Sequence, residues 1–436
     1  MDKISAVKKN VMYFILACLA LFYFLLNLGN LINSISSGIV FSGDITQDYV
    51  GAKQLLKGRN IFNFSESEIR EALTPVDTDK LIVVRGNIKN LKNVHPPITI
   101  IMLLPLSFLN FRDCRIIWTI ITFVLIFIMA VLLTSNEKIP WKYFPLMIIF
   151  LISWPPFQRN VECGNVQILL SFFVFLVFYF SSKNQKLEGI FAGIATMMKF
   201  YPGLLLAYYL LINKKRPLLT ALITIILIVI ISILITKYDF IRLFTTIIPS
   251  DVRIYQDSYE NQNFNGIYSD LFIPLSSNFS GFVLIPSPFL KYFFLIITIA
   301  IFAVIIYKFR KVLVANEKLG MSLFVVLSLL FSPLIFDHSH TLLIYPLLIV
   351  FLNLKTLKEK IIFTVSFLLL IMPIKPSILK PLILLGQKIL FGFKNSPAEI
   401  FLFYSFRFYG LIILFILILI LLKRNVLETE KLMKAS

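Results

Sequence analysis

The chain has 436 residues, of which 58% are hydrophobic and 15% charged, and its mean hydropathy is +0.86. An ordinary soluble domain carries about 45–50% apolar and about 25% charged residues; the excess here falls in long uninterrupted blocks such as 218–235, which excludes a soluble enzyme and a low-complexity chain. A net charge of +19 would point to nucleic acid in a soluble protein, but these basic residues sit in short runs between apolar blocks, the pattern that retains loops in the cytoplasm, and no nucleic-acid partner is expected.

The basic start, Met1 to Asn10, precedes an apolar run over 11–32 without an A-x-A-like cleavage site, so an uncleaved first span is expected. Blocks at 116–133, 166–180, 217–235, 289–307 and 406–422 approach or reach the roughly 20 residues needed to cross a hydrocarbon core. Shorter apolar segments occupy 98–109, 143–153, 187–198, 201–211, 321–335, 341–352, 361–372 and 379–390. The expected fold is all-α, a polytopic integral membrane protein of about 11–13 transmembrane helices, forming one membrane-embedded domain over 1–436. Cys18, Cys114 and Cys163 are too scattered for a disulfide framework or a metal site.

Basic clusters mark the cytoplasmic side: Lys8-Lys9, Lys183 with Lys186, Lys214-Lys215-Arg216, Lys308 to Lys311, Lys355 to Lys360 and Lys423-Arg424. Both termini are then cytoplasmic, and the segments 33–97, 237–288, 337–340 and 375–398 lie outside, with 379–390 an interfacial helix. Four apolar segments separate the outer loop ending near Pro97 from the inner Lys183, and an even number of crossings does not change sides. One short segment, 98–109 or 143–153, is therefore expected to be re-entrant or interfacial. Two short passes meet at Lys199-Phe200-Tyr201-Pro202, where Pro202 breaks the helix and a lysine needs a partner or a water-filled cavity.

The polar residues of interest sit in the outer segments. Val50, Leu55 and Leu56 have helical spacing, which puts Asp44 at the start of a short helix, where an aspartate also suits simple capping. Asp48 is four residues on and shares its face. Asp77-Thr78-Asp79 reads as a solvated turn, and His95, before Pro96-Pro97, as a loop histidine at the interface. Gly164-Asn165-Val166-Gln167 and Asn261-Gln262-Asn263 are amide clusters, suited to sugar hydroxyls because each amide offers donors and an acceptor. Ser332 to His340 brings Asp337, His338 and His340 to the outer end of a span, where an ionisable group suggests function.

In this order the residues resemble glycosyltransferase family 87, the polyprenol-phosphate-mannose-dependent α-mannosyltransferases of the multispan GT-C class, over most of the chain. That family shows an early outer Asp, then a Tyr and a small-residue helix ending Leu-Leu-x-Gly, as do Asp44, Tyr49, Gly51-Ala52 and Leu55 to Gly58. Its Pro-Pro start with a later Pro-Leu and Trp is met by Pro96-Pro97, Pro105-Leu106 and Trp118. Its Gly-Gln-x-Asn motif has the amides exchanged at Gly164 to Gln167, and its Lys-x-x-Pro falls on Lys199 to Pro202. Asn261-Gln262-Asn263 with Gly266 stands for its Asn-Gln-Ser segment; Ser332 to Ser339 carries its Ser-Pro-x-x-Trp-x-His-His, with Phe336 for Trp and Ser339 for the second His.

The resemblance implies extracytoplasmic loops carrying short helices and an active site containing Asp44 and His338. The implied reaction moves a hexose, mannose before others, from a polyprenyl-phosphate sugar to a lipid or glycan acceptor. It runs on the extracytoplasmic face of a bacterial-type cytoplasmic (inner) membrane, in a single inverting displacement. Such chemistry needs a general base at the acceptor hydroxyl, Asp44 or His338, and a cation at the leaving phosphate, for which Lys199 ranks before Arg85 and Arg159. Asn165, Gln167, Asn261, Gln262, Asn263, Tyr49, Asp48, Asp337 and His340 are the expected substrate-binding residues. The expected partners are donor, acceptor and membrane lipids. No cofactor is expected and no metal, since Asp337, His338 and His340 are spaced poorly to converge on one ion. A lipid or sugar transporter is the main competing class; it predicts symmetry between halves, and the Asp44 loop has no counterpart in the second half. A lipid-linked-glycan polymerase would favour outer arginines, of which 237–288 holds only Arg242 and Arg253.

Overall fold

The computed structural model describes residues 43–74, 91–237, 239–256, 261–273, 285–372 and 405–435, with individual positions between Cys18 and Ser36. Most of the expected first span, Asp77, Asp79, Arg85 and the interfacial helix at 379–390 lie outside the described residues. The described chain is helical, with one isolated bridge, Asn63 to Lys92, and it divides into two compact units, 1–175 and 176–436.

In the first unit, α1 (Asp44–Leu56) and α2 (Glu66–Leu73) precede α3 (Pro97–Leu103), which runs on as a 3-10 turn to Phe108. Ser65 and Glu68 close α2 with a reciprocal capping box. The long α4 (Phe111–Asn136) follows, then α5 (Phe144–Ser153) and α6 (Pro155–Cys163), and α7 (Gln167–Phe180) leads into the second unit. The apolar stretches Pro97–Phe108 and Trp141–Ser153 extend about 18–20 Å at 1.5 Å per residue, well short of a hydrocarbon core of about 30 Å. These are the two segments on which the crossing parity turns.

In the second unit, α8 (Gln185–Met198) and α9 (Leu204–Leu211) are joined by a 3-10 turn at Tyr201–Gly203, where Pro202 interrupts the helix as expected. The chain continues through α10 (Lys215–Thr236), α11 (Asp239–Arg242), a π turn at Leu243–Ile247, α12 (Ile248–Tyr255) and α13 (Phe264–Phe272). It ends with α14 (Pro288–Ala315), α15 (Glu317–Leu330), a 3-10 segment Asp337–Leu343, α16 (Ile344–Leu352), α17 (Leu357–Ile371) and α18 (Phe406–Ala435). Gly189 and Gly193 let α8 touch α10: a Cβ on Gly189 would lie 1.8 Å from Thr220 Oγ1, and one on Gly193 2.8 Å from the Ala221 carbonyl. Small residues four apart are how apolar helices approach closely in a membrane.

Four described helices are long and apolar enough to cross a membrane: Phe111–Asn136, Lys215–Thr236, Pro288–Val314 and Phe406–Glu428. Five shorter apolar ones accompany them. Only 17% of the apolar window of α10 and 11% of that of α14 is buried in the protein, so these two helices present their leucines, isoleucines and phenylalanines outward, as lipid contact requires. Lys214, one of the basic residues read as marking the cytoplasmic side, has a side chain only 11% exposed. Its ammonium binds both Glu188 oxygens (2.9 and 2.8 Å), the Ser181 carbonyl (3.1 Å) and Glu317, locking α8, the turn before α10 and α15 together.

Candidate functional site

Among the described residues, most of the expected site residues fall into one polar cluster in each unit. In the first, α1 begins at Asp44 itself, and Gly43 holds the N-cap position without a side-chain cap bond. The Asp44 carboxylate thus does more than end its own helix: it accepts a 2.5 Å hydrogen bond from Asn165 Nδ2, 121 residues away. Asn165 is buried, and its Oδ1 accepts from the Gln167 amide at 2.8 Å, closing the first turn of α7. Gly164 makes this turn with φ +63°, and a Cβ there would lie 2.0 Å from Arg115 Nη1 and 2.9 Å from Ile45 Cγ2. Glycine is therefore required both by backbone conformation and by space.

Arg115, 1% exposed, explains the crowding. Its Nη2 donates to the Val161 carbonyl and, at 3.0 Å, to the Glu162 carbonyl, the open end of α6. The Asp44 carboxylate attracts the same guanidinium. Asp44 keeps part of its surface open, whereas Asp48 on the same helix is 0% exposed. Both Asp48 oxygens lie 2.9 Å from His95 Nδ1, so the two residues form a buried pair. Tyr49 is a strut: it is 2% exposed, packs edge-on against Phe111 at 5.3 Å, and donates its hydroxyl to the Leu109 carbonyl at 2.8 Å. Burial holds that phenol well above its ordinary pKa, so it remains a donor.

The cluster of the second unit surrounds Ser332 to His340. Asp337 pairs with Arg407 at 2.6 Å, and Arg407, at the start of α18, is fully buried. Its backbone amide donates to Gln262 Oε1 at 2.9 Å. The neighbouring amides serve the backbone: Asn263 Nδ2 donates to the Ser332 carbonyl (2.7 Å), Asn265 Nδ2 to that of Pro333 (2.7 Å), and Asn261 Oδ1 accepts from the Ile335 amide (2.9 Å). Asn263 Oδ1 accepts from Gly266, and a Cβ on Gly266 would overlap the Asn261 carbonyl at 1.7 Å. Of the three amides expected to meet sugar, Asn261 and Asn263 make hydrogen bonds to 332–335 and Gln262 accepts from the Arg407 backbone amide. His338 stacks on Phe336 with ring centroids 5.8 Å apart, and His340 is completely buried. Among the described residues no three His, Cys, Asp or Glu side chains converge on a metal-sized point.

The sequence pattern of glycosyltransferase family 87 matches residues 93–333, more than half of the chain. The chain belongs to glycosyltransferase family 87. It is a membrane glycosyltransferase, with a sugar donor and an acceptor as its substrates. No curated protein matches the sequence. The matched stretch of the transferase holds His95, Arg115, Gly164 to Gln167, Lys199 and Asn261 to Asn263, while Asp44, Asp48 and Tyr49 precede it and Asp337 to His340 follow it.

Lys199 stands at the C-terminal end of α8, half-buried in extended backbone (φ −150°, ψ 131°), directly before the Pro202 turn. Sequence reasoning misses Arg115 and Arg407, though the signal was present: each is an arginine within the first five residues of a long apolar helix, where an ionisable group suggests function. It also misses His95, because nothing local tells a buried histidine from a solvated loop one.

Proposed function

We propose that this family 87 transferase moves a hexose, mannose first among candidates, from a polyprenyl-phosphate sugar to a lipid or glycan acceptor at the extracytoplasmic face of a bacterial-type cytoplasmic membrane. Both termini are cytoplasmic in this reading, and the displacement is a single inverting one. The observation that supports it most is Asp44: a partly exposed carboxylate at a helix N-terminus, held at 2.5 Å by an amide from a distant turn, in a chain of a glycosyltransferase family. The positive end of the helix favours the ionised form, which is the form that accepts a proton.

In the mechanism, Asp44 takes the proton of the acceptor hydroxyl while that oxygen attacks the anomeric carbon and the bond to the lipid phosphate breaks. Lys199 is assigned to the charge that develops on the phosphate. His338 is the second group assigned to proton transfer, on a segment whose shape Asn261, Asn263 and Arg407 maintain. Asn165 and Gln167 fix the Asp44 side of the reaction rather than adding charge.

The test is transfer by purified protein in lipid nanodiscs, with radiolabelled polyprenyl-phosphate mannose, glucose or arabinose offered separately to a membrane extract. A labelled product that is lost in Asp44→Asn supports the reading and names the sugar. No transfer from any of these donors by folded protein refutes the donor class.

A further inference from the structure

We infer that Asp48 and His95 are positioning residues: their buried pair sets the rotation of α1, and through it the place of Asp44. The inference rests on the assignment of Asp44 as the base.

A short helix pinned at one end can still turn about its axis. The Asn165 bond holds Asp44 and the Tyr49 hydroxyl, bonded to the Leu109 carbonyl, holds another face of α1; the face that carries Asp44 needs its own directional contact off the axis. Asp48 supplies it. It lies four residues from Asp44, nearly on the same face and about 6 Å along the axis, so any rotation that carries Asp48 away carries Asp44 with it. His95 Nδ1 meets both carboxylate oxygens at 2.9 Å; a carboxylate only accepts, so Nδ1 is the donor. An apolar contact would slide; a hydrogen bond into a carboxylate with no exposed surface has one geometry, and turning α1 would strand a buried charge.

The partner is itself held. The His95 amide donates to Asn93 Oδ1 at 2.8 Å, Asn93 Nδ2 reaches the Gln47 carbonyl at 3.2 Å, and the Asn93 amide donates to the Phe62 carbonyl at 2.9 Å. A Cβ on Gly51 would sit 2.8 Å from Asn93 Nδ2, so this loop lies directly against the α1 backbone. Pro96 and Pro97 then start α3 at once, leaving little slack. His95 Nε2 has no hydrogen-bond partner among the described residues, so the imidazole is oriented through Nδ1 alone.

Asparagine at position 95 separates positioning from chemistry, because its Nδ2 stands where Nδ1 stands in histidine, and it does not titrate. His95→Ala is expected to lower kcat by about 10²-fold with KM for polyprenyl-phosphate mannose nearly unchanged, and His95→Asn to recover most of that loss. His95→Gln, whose amide falls at the Nε2 position, is expected to behave like alanine, and it decides the matter if His95→Ala does not fold. Amide hydrogen exchange across Asp44–Leu56 gives a readout independent of turnover: faster in the Ala and Gln variants, as in wild type in Asn. Unchanged exchange in Ala and Gln overturns the inference even if no donor is ever used. Asn as inactive as Ala overturns it in favour of proton chemistry at the ring. Transfer by wild type but not by Asp44→Asn, with His95→Ala fully active, leaves the functional reading standing and removes the pair.

Discussion

Each unit brings together an acid, an arginine and buried amides, and the two divide the work in opposite ways. In 1–175 an amide grips the acid, Asn165 on Asp44, while Arg115 holds backbone carbonyls. In 176–436 the arginine grips the acid, Arg407 on Asp337, while the amides of Asn261, Asn263 and Asn265 hold backbone. An amide orients a carboxylate without adding a positive charge to it; a guanidinium at 2.6 Å balances that charge directly. Arg115, which Asp44 also attracts, gives its hydrogen bonds to backbone carbonyls, whereas Arg407 pairs with Asp337; on the proposed reading Asp44 is the acid kept for proton transfer.

The largest expected effect breaks this comparison if it fails. Asp44→Asn should lower transfer by about 10²–10⁴-fold with its thermal unfolding midpoint nearly unchanged, whereas Asp337→Asn should act mainly on stability. Turnover and unfolding measured on both variants decide it, and matching losses of turnover would erase the distinction. Next, Arg407→Ala should destabilise the protein by about 3 kcal/mol, the low end for a buried pair, since the acid it leaves unpaired is 17% exposed. Arg115→Ala should cost no more, about 1.5–3 kcal/mol, because it strands carbonyls; thermal unfolding in detergent ranks the two. Gly164→Ala should cost about 1–3 kcal/mol from its left-handed backbone alone, and more when Arg115 is present than in an Arg115→Ala background, a coupling a double-mutant cycle measures. The smallest effect is Asn165→Ala: about 1 kcal/mol for the lost turn at the head of α7, with kcat reduced and KM for the donor held.

Much of this was legible in the residues. The apolar blocks at 116–133, 217–235, 289–307 and 406–422 became the four long helices, because a run of about 20 apolar residues has few other stable arrangements. The start of α1 at Asp44 and the break at Pro202 were equally local, one set by helical spacing and the other by the missing proline amide. The roles of the amides were not. Asn261 and Asn263 carry the groups that bind sugar hydroxyls and use them on 332–335, a choice made by which chain segment lies against them.

By itself, the sequence determined that this is an all-α membrane protein, that its motifs follow the order of family 87, and that Asp44 heads a short helix. Those properties follow from composition, short-range spacing and motif order. Only the tertiary structure decided that Asn165 reaches Asp44 from 121 residues away, that His95 is buried on Asp48, and that Arg115 and Arg407 stand behind glycine and acid. Each is a contact between residues far apart in the chain. The free energy of burying a polar group depends on what the fold brings to meet it, which local residue pattern does not encode.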